Sequence, residues 1–527
     1  MKLRGWTLAT LVGLLAACWT VPGVAENILR RSAIGDVRTL DPQLWVYGQD
    51  GNIAQDLFHG LTTLDAAAEV QPGSAASWTI SPDGKLYTFK LRAGLQWSDG
   101  KPITSADFLY SFYRLFDPNT AAPSASLLYA IANGRAVNTG KLPLRSLGVS
   151  APDPATLVIE LDHPAPYFLD LIVHRAFPVP RHVLDKWGDQ WTRPEHIVSN
   201  GPFVLTERRP NAYIKLERNP RFYAARDVQL DGVLHIPIED PRTALARYRA
   251  GELDVAVTLP SDQIDELRKT FGSQLHLVQQ IGLEYYAFNT QRAPFNDPRV
   301  RRALSMAIER EALSRSVLRA GEPAAYCLVP PGVQNYPRGG CADFASFDAT
   351  RRLTEARTLL AAAGYGPDKP LELRLRFNNG DTQRKVAIAV AAMWKRLGVQ
   401  TELVGAELRS HQQAVQTGDF DVARASWYAE DRDPASFLEL VASRAMGINV
   451  SQFADNEYDA LIARAENSAN LSARAELLRQ AEARAMQSQP VAPLYYYVSR
   501  RLISPRVKGW VDNVRGIHLQ RYLSLAD

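Results

Sequence analysis

The feature that most limits the fold is a change of periodicity near residue 283. Before it, short alternating runs at residues 86–92 (LYTFKLR), 156–161 and 212–217 carry the period-two pattern of half-buried strands. Pro82-Asp83-Gly84, Asp153-Pro154 and Pro210-Asn211 precede or open them and supply turns. After it, apolar positions recur at helical spacing. Asp297 caps a helix with Pro298 in its first turn, Val300, Leu304, Ala307 and Ile308 continue the stripe, and Gly321 ends the segment. A further helix is predicted over 348–363, stopped by Gly364-Tyr365-Gly366. A strand at 371–377, a helix at 382–397 and a strand at 401–404 then form a strand-helix-strand unit, which implies a sheet covered by helices. A strand-rich first half joined to such a second half points to two lobes, and 527 residues suffice for both.

The amino end reads as an export signal. Lys2 and Arg4 are followed by an uncharged stretch at 6–17, too short for the ~20 residues of a membrane helix. Residues 1–25 are therefore expected to be removed, placing the chain in the periplasm. Two endings compete: Leu15-Ala16-Ala17-Cys18 resembles a lipobox with a lipidated Cys18, and Gly23-Val24-Ala25 suits ordinary cleavage before Glu26. Loss of Lys2 and Arg4 with no acid takes the net charge from +4 to +2, too weak a balance for a nucleic-acid partner. Beyond the signal only Cys327 and Cys341 remain, around a Pro- and Gly-rich segment. In an oxidising compartment they suit one loop-stapling disulfide; two buried thiols are the alternative.

Chemistry-bearing motifs are missing. There is no G-x-S-x-G elbow, phosphate-cradling loop, H-E-x-x-H helix or paired C-x-x-C, so neither catalytic residues, a metal nor a cofactor is expected. His174 and His182 flank a Pro-rich turn and are read as packing or capping groups. The Ala- and Arg-rich region 456–487 alternates its arginines with Glu457, Asp459, Glu466, Glu476 and Glu482, the pattern of a solvated helical face laced with ion pairs.

Longer segments carry a resemblance. Residues 78–117, WTISPDGKLYTFKLRAGLQWSDGKPITSADFLYSFYRLFD, are followed in order by SNGPFVL from Ser199, LERNPRFY from Leu216, FNTQRAPFNDPRVRRALSMAIERE from Phe288, FDVARASWYAEDRDPASF from Phe420 and PVAPLYYYVSRRLI from Pro490. With Leu40-Asp41-Pro42-Gln43 ahead of them, they resemble the peptide/nickel-type extracytoplasmic solute-binding family (family 5) of ABC importers, and its oligopeptide-binding branch in particular. The resemblance implies an α/β, two-lobed periplasmic-binding-protein fold of the cluster C type, with a ligand cleft between lobes joined by two crossover strands. It implies three domains: a discontinuous first at 26–58, 183–283 and 498–527, a second at 59–182 and a third at 284–497. It also implies a monomer that hands a peptide to a membrane permease and ATPase complex, and no catalysis.

By the same resemblance Glu430 stands where relatives carry an aspartate that pairs with the peptide's ammonium, and the extra methylene leaves room for neighbouring Asp431 to take over. Arg424 is expected to neutralise buried acid charge or hold a ligand carbonyl. Ser426, Trp427, Tyr428 and Ala429 are expected to line the peptide path, with Tyr285, Tyr286 and Tyr496 near the crossovers as aromatic walls. Gln383, Val415, Leu408 and Ser124 depart from the branch's pattern at positions that meet the peptide's carboxyl end or side chains, so length preference does not carry over. A non-peptide solute (an opine, oligosaccharide or metal chelate) and, in another class, a periplasmic hydrolase are the competing readings.

Overall fold

Tyr87, Phe89 and Leu91 are buried while Leu86 and Lys90 are exposed, so the alternating run becomes a strand with one face on a core. The computed structural model describes residues 27–46, 48–337, 339–429, 431–445 and 447–526; Cys18 and Glu430 lie outside the described residues.

Strand β1 (Ile28–Ala33) is the first element among the described residues. A separate antiparallel sheet follows, built from β2 (Ala75–Ile80), β3 (Leu86–Leu91), β4 (Val149–Asp153) and β5 (Thr156–Glu160) in the order β2-β3-β5-β4. Helix α1 (Ser105–Phe116) begins with a capping box of Thr104 and Asp107, and with α2 (Phe168–Arg175) it covers this sheet. Strands β6 (Phe203–Arg209), β7 (Tyr213–Arg218), β8 (Gly232–Pro237) and β9 (Val255–Ala256) gather around β1. The long β10 (Leu275–Phe288) leads into the second lobe, where β11 (Glu372–Asn378), α3 (Asp381–Lys395), β12 (Gln400–Ala406), α4 (Leu408–Thr417) and β13 (Val422–Tyr428) form the expected sheet and helices. The long β14 (Val491–Ile503) returns.

The order β12-β11-β13-β10-β14-β9-β1-β8-β7-β6 makes one ten-stranded sheet with β10 and β14 at its centre. They are the two crossovers: the Gly282–Phe288 end of β10 pairs with β13, and the Leu502–Ile503 end of β14 pairs with β9. Their mutual register breaks between Gln279 and Leu283, where the lobes meet. Separate hydrophobic cores run through Leu61 to Ala176 and Ile281 to Tyr496, with another around Leu29, Phe203 and Ile503.

Two helical expectations are corrected. The helix capped by Asp297 ends at Met306 rather than running to Gly321; just past its end the buried Arg310 guanidinium donates to the Ser305 carbonyl of its last turn and to the Ile308 and Pro493 carbonyls beyond it. A short turn at Arg310–Ala312 and a wider one at Leu313–Leu318 follow. Region 456–487 divides into helices Asn456–Glu466 and Leu471–Ser488, the second capped by Asn470. Its Glu482 is 1% exposed rather than solvated, accepting from the Val329 N–H at 2.8 Å and the Tyr336 hydroxyl at 2.7 Å. A buried carboxylate needs such donors, and the loop held by Cys327 and Cys341, whose Cα atoms are 4.2 Å apart across a disulfide, supplies them.

Candidate functional site

Strands β11, β12 and β13 run in one direction and end at Asn378, Ala406 and Tyr428, where α3 and α4 begin. In open α/β sheets the ligand crevice lies outside such carboxyl ends. Here the edge is unusual: β13 pairs with β11 only through Val422 and Ala423, so among the described residues its remainder has no strand on that side. On the other side it is fully paired with β10 from Val422 to Tyr428. Alternate residues of an antiparallel strand turn their N–H and C=O toward the partner. The Ala429 N–H donates to the Ile281 carbonyl, so Ala425 and Trp427 also face β10, and Ser426 and Tyr428 turn their main-chain groups to the open edge. Arg424 shares that outward sense, and its carbonyl lies 2.9 Å from His411 Nε2, which closes the inner end of the slot.

Beneath this edge lies a buried ion pair. Arg424 donates from Nε to Glu284 Oε1 at 2.7 Å and from Nη2 to Oε2 at 2.6 Å, and the Tyr497 hydroxyl also donates to Glu284. Glu284 is 1% exposed. Burial pulls the Arg424 pKa down, but the Glu284 carboxylate and its hydrogen bonds more than offset this and leave the guanidinium above its ordinary value. Of the two roles expected for Arg424, neutralising a buried acid is the one its geometry serves. Gly282 makes the next step possible: a Cβ there would stand 2.7 Å from both the Tyr428 and Tyr497 rings, which instead stack with centroids 4.6 Å apart. Tyr428 remains 57% exposed.

Beyond Tyr428 the chain turns through a charged loop. Asp431 is 5% exposed and accepts from Ser436 Oγ at 2.7 and 2.8 Å and from the Asp433 N–H at 2.8 Å. No cation pairs with it among the described residues, and burial, with Asp433 nearby, pushes its carboxyl up to about 7. Asp433 is held by a bidentate pair with Arg474, at 2.7 and 2.8 Å. Arg432 reaches across to the other lobe, where Glu69 and Asp170 meet it. A polar cavity of about 200 Å³ between the lobes is lined by Glu69, Tyr167, Asp170, Gln334, Arg432 and Arg474, among others.

The structure thus brings Arg424, Ser426, Tyr428 and Ala429 to one edge. Trp427 is half-buried beside them, its indole N–H without a partner among the described residues. Tyr285, Tyr286 and Tyr496 lie deeper, 2%, 1% and 4% exposed. Tyr286 packs on Trp394, and Tyr496 donates to the Cys327 carbonyl at 3.0 Å, so they brace the slot from inside the lobe. Leu408 is exposed and Val415 buried. Ser124 is buried with its hydroxyl unpartnered among the described residues. His174 lies buried beside Arg515, whereas His182 pairs with Asp99. Glu284, Tyr497, Glu69, Asp170 and Arg432 were missed from sequence. Glu284 had a signal: an acid inside the apolar run IGLEYYAF requires a counterion, and Arg424 sits in a comparable run.

The chain is similar to known proteins over most of its length. The model of the bacterial extracellular solute-binding proteins, family 5 (middle region), matches residues 69–447. The periplasmic oligopeptide-binding protein OppA of Salmonella typhimurium is 38% identical over 502 residues, covering 93% of this chain and 91% of that protein. The solved murein tripeptide binding protein MppA of Escherichia coli superposes with a TM-score of 0.83 at 36% identity, covering 95% of this chain and 99% of the other. Haemophilus influenzae OppA, solved in complex with the peptide RPPGFSPFR, gives a TM-score of 0.81 at 30% identity, with coverage of 95% and 99%.

Proposed function

Because the chain belongs to the bacterial extracellular solute-binding proteins of family 5, we propose that it is the periplasmic receptor of an ABC importer and that its cleft takes up an extended oligopeptide. The observation that carries this reading is the open edge of β13. Ser426 and Tyr428 turn toward that edge main-chain groups that no strand pairs among the described residues, and a peptide laid alongside would satisfy them as an added strand, independent of its side chains. The ligand's amino end then falls toward Asp431. Asp431 is a carboxylate still lacking a cation, which an ammonium supplies, and Glu430 adds a second acid beside it.

The domains are residues 26–58 with 183–283 and 498–527, residues 59–182, and residues 284–497, a division supported by the separate cores. The receptor acts as a monomer, releases its cargo unchanged, and passes it to a permease and ATPase complex. Among the described residues no helix is long and apolar enough to cross a membrane, and no cluster of three or more His, Cys, Asp or Glu is placed to hold a metal.

Native mass spectrometry of the protein from its own bacterium, followed by denaturing release, tests the proposal. A ladder of short peptides is expected, with synthetic peptides losing affinity when their amine is acetylated. Comparing Glu430→Gln with Asp431→Asn then assigns the anchor. A single non-peptide solute, with no binding to a peptide library, would overturn the peptide reading.

A further inference from the structure

We propose that Arg432 is a latch that couples occupation of the cleft to closure of the lobes. Its guanidinium crosses from the second lobe to the first, meeting Glu69 at 2.5 Å from Nη1 and 2.6 Å from Nη2, a bidentate pair between residues 363 positions apart. The same residue engages Asp170 on α2 through its main-chain N–H at 3.2 Å and through Nε at 3.8 Å. Asp170 in turn holds Arg515 at 2.6 Å. Arg515 adjoins Val514, whose carbonyl accepts from the Ile281 N–H at the break in the crossover strand. One aspartate therefore ties together the small sheet domain, the second lobe and the segment that packs on the hinge.

Two features make this a latch rather than ordinary packing. First, the lobes meet at this place through charge around a polar cavity, and Gln334 completes the contact by donating to Glu69 at 3.2 Å. Such a contact separates into water at less cost than a hydrophobic core, so it is reversible in a way that a core is not. Second, Arg432 is the neighbour of Asp431. The loop that would anchor the ligand's amine is the loop that presents the latch, so a ligand that engages Asp431 also fixes how its neighbour Arg432 meets Glu69 and Asp170. A ligand shifts the equilibrium between open and closed only by binding one form better, and this loop supplies that difference.

The latch rests on the cleft reading above but not on the ligand's identity, and a test can separate the two. Dyes placed on the small domain and on the second lobe of the full chain report their separation by single-molecule energy transfer. Unliganded wild type is expected to visit the closed form, Glu69→Gln to shift toward the open form, and Arg432→Lys, which keeps the charge but loses the fork, to fall between. Added salt should move wild type toward Glu69→Gln and leave that variant little changed. Because apparent affinity scales with the closed fraction, tetra-alanine should bind Glu69→Gln about tenfold more weakly than wild type. Glu69 is half-exposed, so the variant is expected to fold. An unliganded distribution and an affinity identical to wild type would overturn the latch. If no peptide binds wild type while Glu69→Gln still opens the unliganded protein, the latch stands and the peptide reading fails.

Discussion

Two buried carboxylates in the second lobe differ in how their charge is met. Glu284 has its cation built in: Arg424 grips both oxygens and Tyr497 donates a hydrogen bond as well. Asp431 has a hydroxyl and a main-chain N–H but no cation among the described residues, and its carboxyl is pushed up to about 7. Arg424, which holds Glu284, begins the open part of β13, and Asp431 lies just beyond its end at Tyr428. The difference separates structure from function. A charge neutralised within the fold stabilises the slot, whereas a charge left uncompensated is a place where an arriving cation gains most.

Breaking the first pair should give the largest effect. Glu284→Gln leaves the Arg424 guanidinium buried without its counter-charge, and a loss of about 3–5 kcal/mol is expected. Urea denaturation would measure it, and a loss below about 1 kcal/mol would remove Glu284 from the framework. The opposite result is expected at the other carboxylate. Asp431→Asn retains an acceptor for Ser436 and Asp433 and removes a charge that burial resists. Displacement from 3.8 to about 7 sets an upper bound near ~4 kcal/mol, so a gain of about 2–4 kcal/mol at pH 8 is expected. Peptide affinity should fall at least about a hundredfold in the same variant. Stability and binding moving together would refute the distinction.

The comparison sharpens with pH. Folded Asp431 keeps a proton that the unfolded chain has already released, so its contribution to stability falls as pH rises between about 4 and 7 and is level outside that window. The slope approaches ~1.4 kcal/mol per unit and is isolated by subtracting the Asp431→Asn curve from that of wild type. Binding runs the other way. An ammonium requires the ionised carboxylate, so below pH 7 the affinity should decline by up to about tenfold per unit, and titration calorimetry should record proton release on binding.

These two sites were not equally legible in the sequence. Alternation revealed β3 because Tyr87, Phe89 and Leu91 face one core, and the cap at Asp297 was read from residue type alone, since it acts within three residues along the chain. The second lobe's strand-helix-strand unit was legible for the same local reason. The Glu284–Arg424 pair joins residues 140 positions apart, and the Arg432–Glu69 pair 363, distances at which charge pattern says nothing about partners. Glu482 shows the converse error. Its spacing among arginines on an amphipathic helix is the same whether that face meets water or the disulfide-held loop, and only the tertiary fold distinguishes them. The two-lobed fold was legible as a resemblance, but the point where β11 leaves β13 is set by the sheet's geometry and left no mark in composition.

The smallest expected effect concerns Tyr428, between the two charges. Its ring stacks on Tyr497 above Gly282 yet stays 57% exposed, so it contributes little to the lobe's core. Tyr428→Ala should cost no more than about 0.5–1.5 kcal/mol of stability, the range of an aromatic pair. Tyr428→Phe, which keeps the stack and loses only the hydroxyl, should be nearly neutral. Gly282→Ala should resemble Tyr428→Ala, because its methyl would enter the space both rings occupy. If the exposed face meets the ligand, the affected peptides are those with an aromatic side chain within about two residues of the amine, since a strand advances only ~3.3 Å per residue from the acid pair. Calorimetry with Ala-Phe-Ala-Ala against tetra-alanine reads this directly. A loss confined to the aromatic peptide makes Tyr428 a contact for side chains, whereas an equal loss for both makes it a support for the open edge alone.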